Sequence, residues 1–267
     1  MKTRAITGFF FIAVLIAVVL FGPYAFIPFF TLVGVYSVYE FYEMVQSGQT
    51  KPLWAIGIFS ALLGLCLLSL VLLDMLATEN LLWIFAFAFV LYIAALFRKT
   101  VSVIHDIAYT LFGLLYVAIP FGLFICLGFV SGTYDPYIPL GFLILLWTND
   151  TGAYLAGKSF GRRKLFERIS PNKTWEGFIG GLVLAVAVSL NLARYFDSLV
   201  SWQWLTMAII IGSFGTLGDL VESMLKRNTG VKDSGKLLPG HGGLLDRFDG
   251  LLMAAPLVYL FLKFFVF

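Results

Sequence analysis

Three aspartates near the C-terminal end of the chain have the spacing of a cation site. Asp246 and Asp249 are three residues apart, which brings two carboxylates together if a helix begins there. Like charges at that distance repel unless a cation or a shared proton intervenes. Asp219 lies in a long apolar segment and shares a helical face with Ser223 and Lys226. Because hard cations such as Mg²⁺ prefer carboxylate oxygens and keep open positions for phosphate, these aspartates predict cation binding and phosphate chemistry.

A purely structural role for the carboxylates stays open at this point. They could form salt bridges with the nearby Lys226, Arg227 and Arg247. This alternative weighs most for Asp150 and Glu222, which also interrupt apolar segments. Ionisable residues within membrane-spanning segments are costly and are therefore functional candidates by default. The sequence contains no cysteine or histidine set with the spacing of a zinc site.

The segment 226–249 joins the last two apolar stretches and is rich in glycine and lysine. Glycines let backbone N–H groups approach phosphates closely, and lysines such as Lys232 neutralise them. His241 stands between glycines and is followed by Gly242 and Gly243. The segment is not a Walker loop, because Gly-x4-Gly-Lys-Ser/Thr does not occur in it. It predicts either an anion-binding loop or a flexible basic connector.

A second basic segment, 158–174, leads directly into another apolar stretch. Asn172 and Lys173 stand at its end beside Trp175, so we expect Lys173 to take part in the site and Thr174 to cap the following helix. The alternative is contact with anionic lipids. That alternative is our expectation for the other basic residues of the segment, which are Arg162, Arg163, Lys164 and Arg168.

The elements that must position these residues are membrane helices. Sixty per cent of the 267 residues are apolar and 12% are charged, whereas a soluble domain carries about 25% charged residues. A spanning helix needs about 20 apolar residues. The predicted spans are 5–22, 24–45, 53–73, 81–97, 103–131, 136–157, 175–195, 203–225 and 250–267. We predict an all-α, polytopic membrane protein with about nine helices, forming one transmembrane domain over 1–267 whose catalytic part lies mainly in 145–250.

The distribution of basic residues predicts the topology. Cytoplasmic loops are enriched in lysine and arginine, and 158–174 and 226–247 carry six and five of them. Both loops fall inside, with a cytoplasmic N-terminus, only if 103–131 crosses once and is tilted or kinked at Pro120. Glu40 and Glu43, at the inner end of the second span, are then expected to be interfacial.

The segment from Ser223 to Asp249 resembles the signature of the phosphatidate cytidylyltransferases, also called CDP-diglyceride synthetases. The resemblance covers Lys226-Arg227, Lys232-Asp233, Leu238-Pro239, His241-Gly242-Gly243-Leu244 and Asp246-Arg247-Phe248-Asp249. It implies that CTP and phosphatidic acid react to give CDP-diacylglycerol and pyrophosphate, with Mg²⁺ required. It also implies a second cation such as K⁺, a site formed by the C-terminal helices, and a homodimer in the cell membrane. The partners it implies are CTP, phosphatidic acid and membrane lipids, and no nucleic acid.

The residues suit this reaction, because two anionic reactants must be neutralised before they approach each other. We assign cation binding to Asp219, Asp246 and Asp249. The expected catalytic residues, which neutralise phosphates or assist the leaving pyrophosphate, are Lys173, Lys226, Arg227, His241 and Arg247. The expected nucleotide-binding residues are Asn172, Lys173, Lys232, Gly242 and Gly243.

Three other functions are considered. A CTP-dependent lipid kinase would share the nucleotide and the metal but transfer the γ-phosphate. A CDP-alcohol phosphotransferase is disfavoured, because Asp249-Gly250 is not followed by the arginine and later aspartates of that family's motif. An ion-coupled transporter would place its charges near the bilayer midplane and often contain repeats, whereas here the charges gather at one face and no repeat is visible.

Overall fold

The computed structural model describes residues 2–46, 50–237 and 242–267, with side chains from residue 7 onward. The chain forms two compact units. The first consists of Met1–Gly122 and Thr229–Arg247, and the second of Leu123–Asn228 and Phe248–Phe267. The single-domain organisation over 1–267 stays a prediction.

The helices of the first unit follow the apolar segments of the sequence. They are α1 (Lys2–Leu20), α2 (Pro23–Val45), α3 (Trp54–Leu72), α4 (Trp83–Leu96, preceded by a 3₁₀ turn at Thr78–Leu82) and α5 (Val103–Gly113). Neither α3 nor α4 contains a charged residue, so their backbone polar groups are satisfied within the helix and their side chains suit lipid.

The segment that we predicted to cross once is helical from Val103 to Leu127. It continues from α5 through a π-helical turn at Leu114–Ala118 into α6 (Ile119–Leu127). Proline lacks an N–H and clashes with the carbonyl four residues earlier, which for Pro120 is that of Tyr116. The irregular turn therefore lies where Pro120 disturbs the helix, and one continuous helical stretch agrees with a single crossing.

A hydrogen-bond network inside the first unit holds α2 beside α5. The Tyr42 hydroxyl donates to the Thr110 carbonyl at 2.8 Å, and the Thr110 hydroxyl accepts from the Leu53 N–H at 2.8 Å. Asp106, one turn earlier on α5, is fully buried and pairs with Arg98 at 3.2 Å. This network fixes the helix that carries Glu40.

The second unit contains the remaining helices and a small hairpin. They are α7 (Tyr137–Phe160), β1 (Lys164–Phe166), β2 (Ser170–Thr174), α8 (Trp175–Tyr195), α9 (Ser201–Asn228) and α10 (Asp249–Phe265). Among the described residues, the antiparallel pair of β1 and β2 departs from the all-α prediction, which treated 158–174 as a loop. Small residues let these helices approach closely, since a Cβ on Gly152 would lie 3.0 Å from the Gly181 Cα.

The prediction of a polytopic, all-α membrane protein is confirmed. In the described part of the chain, six helical stretches are long and apolar enough to cross a membrane. When α4 is joined to its 3₁₀ turn and α5 to α6, the described residues form nine helical stretches. The cytoplasmic position of the N-terminus stays a prediction.

Candidate active site

Asp246 lies in a 3₁₀ turn, Leu245–Arg247, in the first unit. Its side chain is only 8% exposed. The Gly243 N–H donates to Oδ2 at 2.7 Å and the Ser234 N–H donates to the same oxygen at 3.0 Å. Backbone N–H groups aimed at a carboxylate stabilise its charged form and fix its direction. Asp246 is therefore held rigidly by the loop that contains it.

The glycines that precede Asp246 are required by this geometry. Gly242 has a φ of 81°, and a Cβ there would lie 2.7 Å from the Asp246 Oδ2. A Cβ on Gly243 would collide with the Ser234 Oγ. Both positions thus need glycine in order to wrap the loop around the Asp246 carboxylate. That Gly242 and Gly243 contact the nucleotide stays a prediction.

Glu40 on α2 differs from our expectation of an interfacial side chain. It is 2% exposed, and its Oε2 accepts the Leu245 N–H at 2.8 Å. The Ser234 hydroxyl lies 3.5 Å from the same oxygen. The sequence spacing carries no signal for this contact, because more than 200 residues separate Glu40 from Leu245. Glu43, one turn later, is exposed.

A cavity of about 810 Å³ lies beside this network, entirely within the first unit. Its walls come from α2, including Tyr36 and Glu43, and from the segment 231–237. Lys232 and Lys236 bring positive charge to it. Ligand pockets are commonly about 300–1,000 Å³, so the cavity has the size of a nucleotide site.

Asp219, on α9 in the second unit, is paired with a side chain rather than with backbone. The Lys173 Nζ lies 2.5 Å from its Oδ2, and the two side chains are 23% and 39% exposed. The Ser223 hydroxyl donates to Oδ1 at 3.2 Å, which confirms the predicted shared face. Lys173 also donates to the Thr216 carbonyl at 3.4 Å.

The hairpin of β1 and β2 brings Lys173 to this position. The prediction that Thr174 caps α8 is confirmed, since its hydroxyl accepts the Gly177 N–H at 3.1 Å. Glu176 accepts from the Arg162 and Arg163 N–H groups at 3.1 and 3.2 Å and ties the start of the hairpin to the same helix.

A second cavity, of about 310 Å³, lies beside the hairpin within the second unit. Asp150, Asn172, Lys173 and Asp219 all line it. The structure therefore brings together predicted residues from two separate parts of the sequence, namely Asn172 and Lys173 from one and Asp219 from the other. Asp150, for which the sequence left both a structural and a functional role open, lines the same cavity.

Asp249 is the first residue of α10, and close packing against α9 places it near this group. A Cβ on Gly218 would lie 2.5 Å from the Asp249 carbonyl oxygen, so only glycine permits this approach. Asp219, Asp150 and Lys173 are close enough to interact electrostatically with the Asp249 carboxylate. Its Oδ1 accepts the Gly250 N–H at 2.6 Å.

Comparison with known proteins identifies the family. The model of the cytidylyltransferase family matches residues 2–265. The chain belongs to this family. A phosphatidate cytidylyltransferase of Staphylococcus haemolyticus is 38% identical over 264 residues, covering 98% of this chain and 99% of the relative. One of Staphylococcus saprophyticus is 37% identical over 271 residues, with the same coverage. One of Staphylococcus aureus is 53% identical over 127 residues, which are 47% of this chain and 48% of the relative.

This cytidylyltransferase is therefore a nucleotidyltransferase enzyme and a multi-pass membrane protein. The other basic residues that we predicted to neutralise phosphates or contact the nucleotide have surroundings unlike those of Lys173. Lys226 lies 3.3 Å from the fully buried Glu222, an ion pair one helical turn apart. Arg227, Lys232 and Arg247 are exposed to solvent. His241 lies outside the described residues, and the roles of all these residues stay predictions.

Cytidylyltransferases use a divalent metal, and the oxygen donors of this chain fit such an ion. Within 2–46, 50–237 and 242–267, no three carboxylate, histidine or cysteine side chains already stand together as a complete metal site. However, Asp150 and Asp219 place like charges beside Asp249. Hard divalent cations select such carboxylates and relieve their mutual repulsion. The ammonium of Lys173 against Asp219 shows that positive charge is already stabilised at this position.

Proposed function

We propose that this cytidylyltransferase transfers the cytidylyl group of CTP to phosphatidic acid, forming CDP-diacylglycerol and pyrophosphate. The observation that carries the proposal is similarity over 98% of the chain to relatives named for this activity. The placement of Lys173 against Asp219, beside Asp150, supports it, because the reaction needs both cationic and metal-binding groups.

In this reaction an oxygen of the lipid phosphate attacks the α-phosphorus of CTP. A new P–O bond forms, the bond from the α-phosphorus to the bridging oxygen breaks, and pyrophosphate leaves. A phosphate monoester is largely ionised near neutral pH, so no strong general base is needed. The protein must instead position two anions and neutralise them. Lys173 is suited to this task, because its ammonium is already held at the cavity wall by Asp219.

The metal proposal is that Asp219, Asp246 and Asp249 bind Mg²⁺, with a second cation such as K⁺ nearby. When bound, the ions would stabilise negative charge on the reacting phosphates. Lys226, Arg227, Arg247 and His241 are proposed to neutralise phosphates or assist the leaving pyrophosphate. Lys232, which lines the larger cavity, is proposed to contact CTP together with Asn172, Gly242 and Gly243.

The proposed location is the cell membrane, with the site facing the cytoplasm and the enzyme acting as a homodimer. The basic segments 158–174 and 226–247 support the orientation, because such loops remain on the cytoplasmic side. CTP is a cytosolic nucleotide and the lipid lies in the bilayer. A site at the inner ends of the helices meets both substrates.

The test uses purified full-length protein in phosphatidic acid micelles with Mg²⁺ and CTP. One sample carries ³²P at the α position of CTP and the other at the γ position, and lipid is extracted and counted. We expect label in lipid from the α position only. Label from the γ position would instead identify a lipid kinase.

A matched control replaces phosphatidic acid with diacylglycerol, which lacks the attacking phosphate. Loss of α-label with diacylglycerol assigns the lipid phosphate as the nucleophile. Absence of lipid label in every sample would overturn the proposal. Uptake of a solute by proteoliposomes without CTP turnover would then favour the transporter.

A further inference from the structure

Glu40 joins two distant parts of the loop that contains Asp246. Its Oε2 accepts the Leu245 N–H, next to Asp246, at 2.8 Å. The same oxygen lies 3.5 Å from the Ser234 hydroxyl, and the Ser234 N–H in turn donates to Asp246 at 3.0 Å. One carboxylate on α2 thus connects both segments that hold Asp246.

The loop is shaped closely around this carboxylate. A Cβ on Gly235 would collide with the Glu40 Oε1. A Cβ on Gly243 would lie 2.7 Å from the Glu40 Oε2, and the Gly243 N–H donates to the Asp246 Oδ2 at 2.7 Å. Gly235 follows Ser234, and Gly243 itself donates to Asp246. The two glycines that allow Glu40 to approach therefore lie beside or within the groups that orient Asp246.

The burial of Glu40 carries a large free-energy cost for a residue that only closes a loop. Glu40 is buried, and Asp246 is a second carboxylate close enough to repel it. No residue in the described part of the chain donates a hydrogen bond to the Glu40 Oε1. Burying an incompletely paired charge costs free energy, and a neutral side chain could also accept the Leu245 N–H without that cost. Such costs persist where they serve a functional site.

We infer that Glu40 is a positioning residue that orients Asp246 for cation binding through Ser234 and Leu245. The inference rests on the proposed metal-binding role of Asp246. Groups that orient metal ligands change metal affinity by about 10- to 100-fold when they are removed. A carboxylate beside Asp246 also adds negative potential, which favours a bound divalent cation.

The test measures Mn²⁺ binding to the purified full-length protein by electron paramagnetic resonance, without CTP or lipid. Glu40→Ala is expected to raise the Kd for Mn²⁺ by about 10- to 100-fold. Glu40→Gln is expected to raise it less, because its amide oxygen still accepts the Leu245 N–H. Glu79→Gln is the matched control, since Glu79 is exposed in the 3₁₀ turn before α4 and lines neither cavity, and it should bind Mn²⁺ as the wild type does.

Activity gives a second readout. The Mg²⁺ concentration for half-maximal turnover should rise in Glu40→Ala, and excess Mg²⁺ should restore much of kcat while the KM for phosphatidic acid stays unchanged. A purely structural role predicts a lower melting temperature and lower kcat with unchanged Mg²⁺ dependence. That result would overturn the inference.

A second variant keeps the test decisive if Glu40→Ala does not fold. Ser234→Ala removes the hydroxyl that faces Glu40 but keeps the backbone N–H that binds Asp246, and it should raise the Mn²⁺ Kd by about threefold. Wild-type Mn²⁺ affinity in both Ser234→Ala and Glu40→Gln contradicts the positioning role. Wild-type protein that binds Mn²⁺ but transfers no α-label would contradict the proposed function alone.

Discussion

Asp246 and Asp219 are both predicted to bind a cation, but the protein holds them in different ways. Asp246 is 8% exposed and accepts backbone N–H groups from Ser234 and Gly243. Asp219 is 39% exposed and pairs with the ammonium of Lys173 at 2.5 Å. The first carboxylate is fixed by the chain itself, whereas the second is fixed by a flexible side chain.

Because of this difference, Asp246 keeps a fixed orientation, whereas Asp219 can exchange its partner. Backbone N–H groups cannot move away without unfolding the loop, so the direction of Asp246 is set before any substrate binds. An ammonium on a four-carbon stem can leave Asp219 and follow a phosphate. We therefore expect Asp246 to provide preorganised charge, and Lys173 to exchange Asp219 for a substrate phosphate during turnover.

The largest effects should come from removing the two charges. Asp246→Asn and Asp219→Asn should each lower kcat by at least about 100-fold, because both remove charge that stabilises the reacting phosphates. Their stabilities should differ. Asp246→Asn keeps one oxygen acceptor but turns two charge-assisted hydrogen bonds from backbone N–H groups into neutral ones, which should cost about 2 kcal/mol. Asp219→Asn removes a partly exposed ion pair that contributes about 0–1 kcal/mol.

Transfer of α-³²P label and the melting temperature in detergent measure the two quantities separately. Activity that survives either substitution at ordinary Mg²⁺ contradicts the metal-binding role of that aspartate. Equal losses of melting temperature would show that the two carboxylates are held with similar strength, which would remove the distinction between them.

An intermediate effect is expected from Gly243→Ala. The added Cβ would collide with Ser234 and press on Glu40, so the loop must shift and the Gly243 N–H must move from Asp246. We expect a loss of about 1–3 kcal/mol in stability. Turnover should fall by about 10- to 100-fold, as for other groups that orient metal ligands.

Gly64→Ala on α3 is the control for this substitution. Its Cβ would meet only Ile84, at an ordinary contact distance of 3.7 Å. It should leave turnover and melting temperature close to the wild-type values. If Gly243→Ala behaves in the same way, Asp246 does not depend on the tight wrapping of its loop.

The sequence predicts those contacts that helical spacing determines. Asp219 meets Ser223 because they are four residues apart on α9, and Thr174 caps α8 because a threonine there precedes an apolar run. The nine helical stretches follow from the length of apolar segments. Most residues of the candidate site could therefore be identified from their types and positions.

Contacts between distant segments were not predictable in this way. Lys173 pairs with Asp219 across 46 positions, and Glu40 reaches Leu245 across more than 200. Periodicity describes one helix at a time, whereas these two pairs depend on how separate segments pack. The ion pair of Lys226 with Glu222 lies within α9, one turn apart, and is the salt bridge that the sequence left open for Glu222. The β1–β2 hairpin was missed because its strands have only three and five residues.

The smallest expected effect concerns the hairpin that carries Lys173. Thr174→Ala removes the acceptor of the Gly177 N–H and should cost about 1 kcal/mol in stability. Because Lys173 is the adjacent residue, its ammonium should be held less firmly and turnover should fall by a few-fold. Melting temperature and α-label transfer are the measurements, with Thr174→Ser, which keeps the hydroxyl, as the control.

The outcome also bears on the difference between the two aspartates. If Lys173 exchanges Asp219 for phosphate, a looser hairpin should raise the KM for CTP more than it lowers kcat. A loss of kcat with unchanged KM would mean that Lys173 must stay rigid throughout the reaction. Asp219 and Asp246 would then both be preorganised, one by an ammonium and the other by backbone N–H groups.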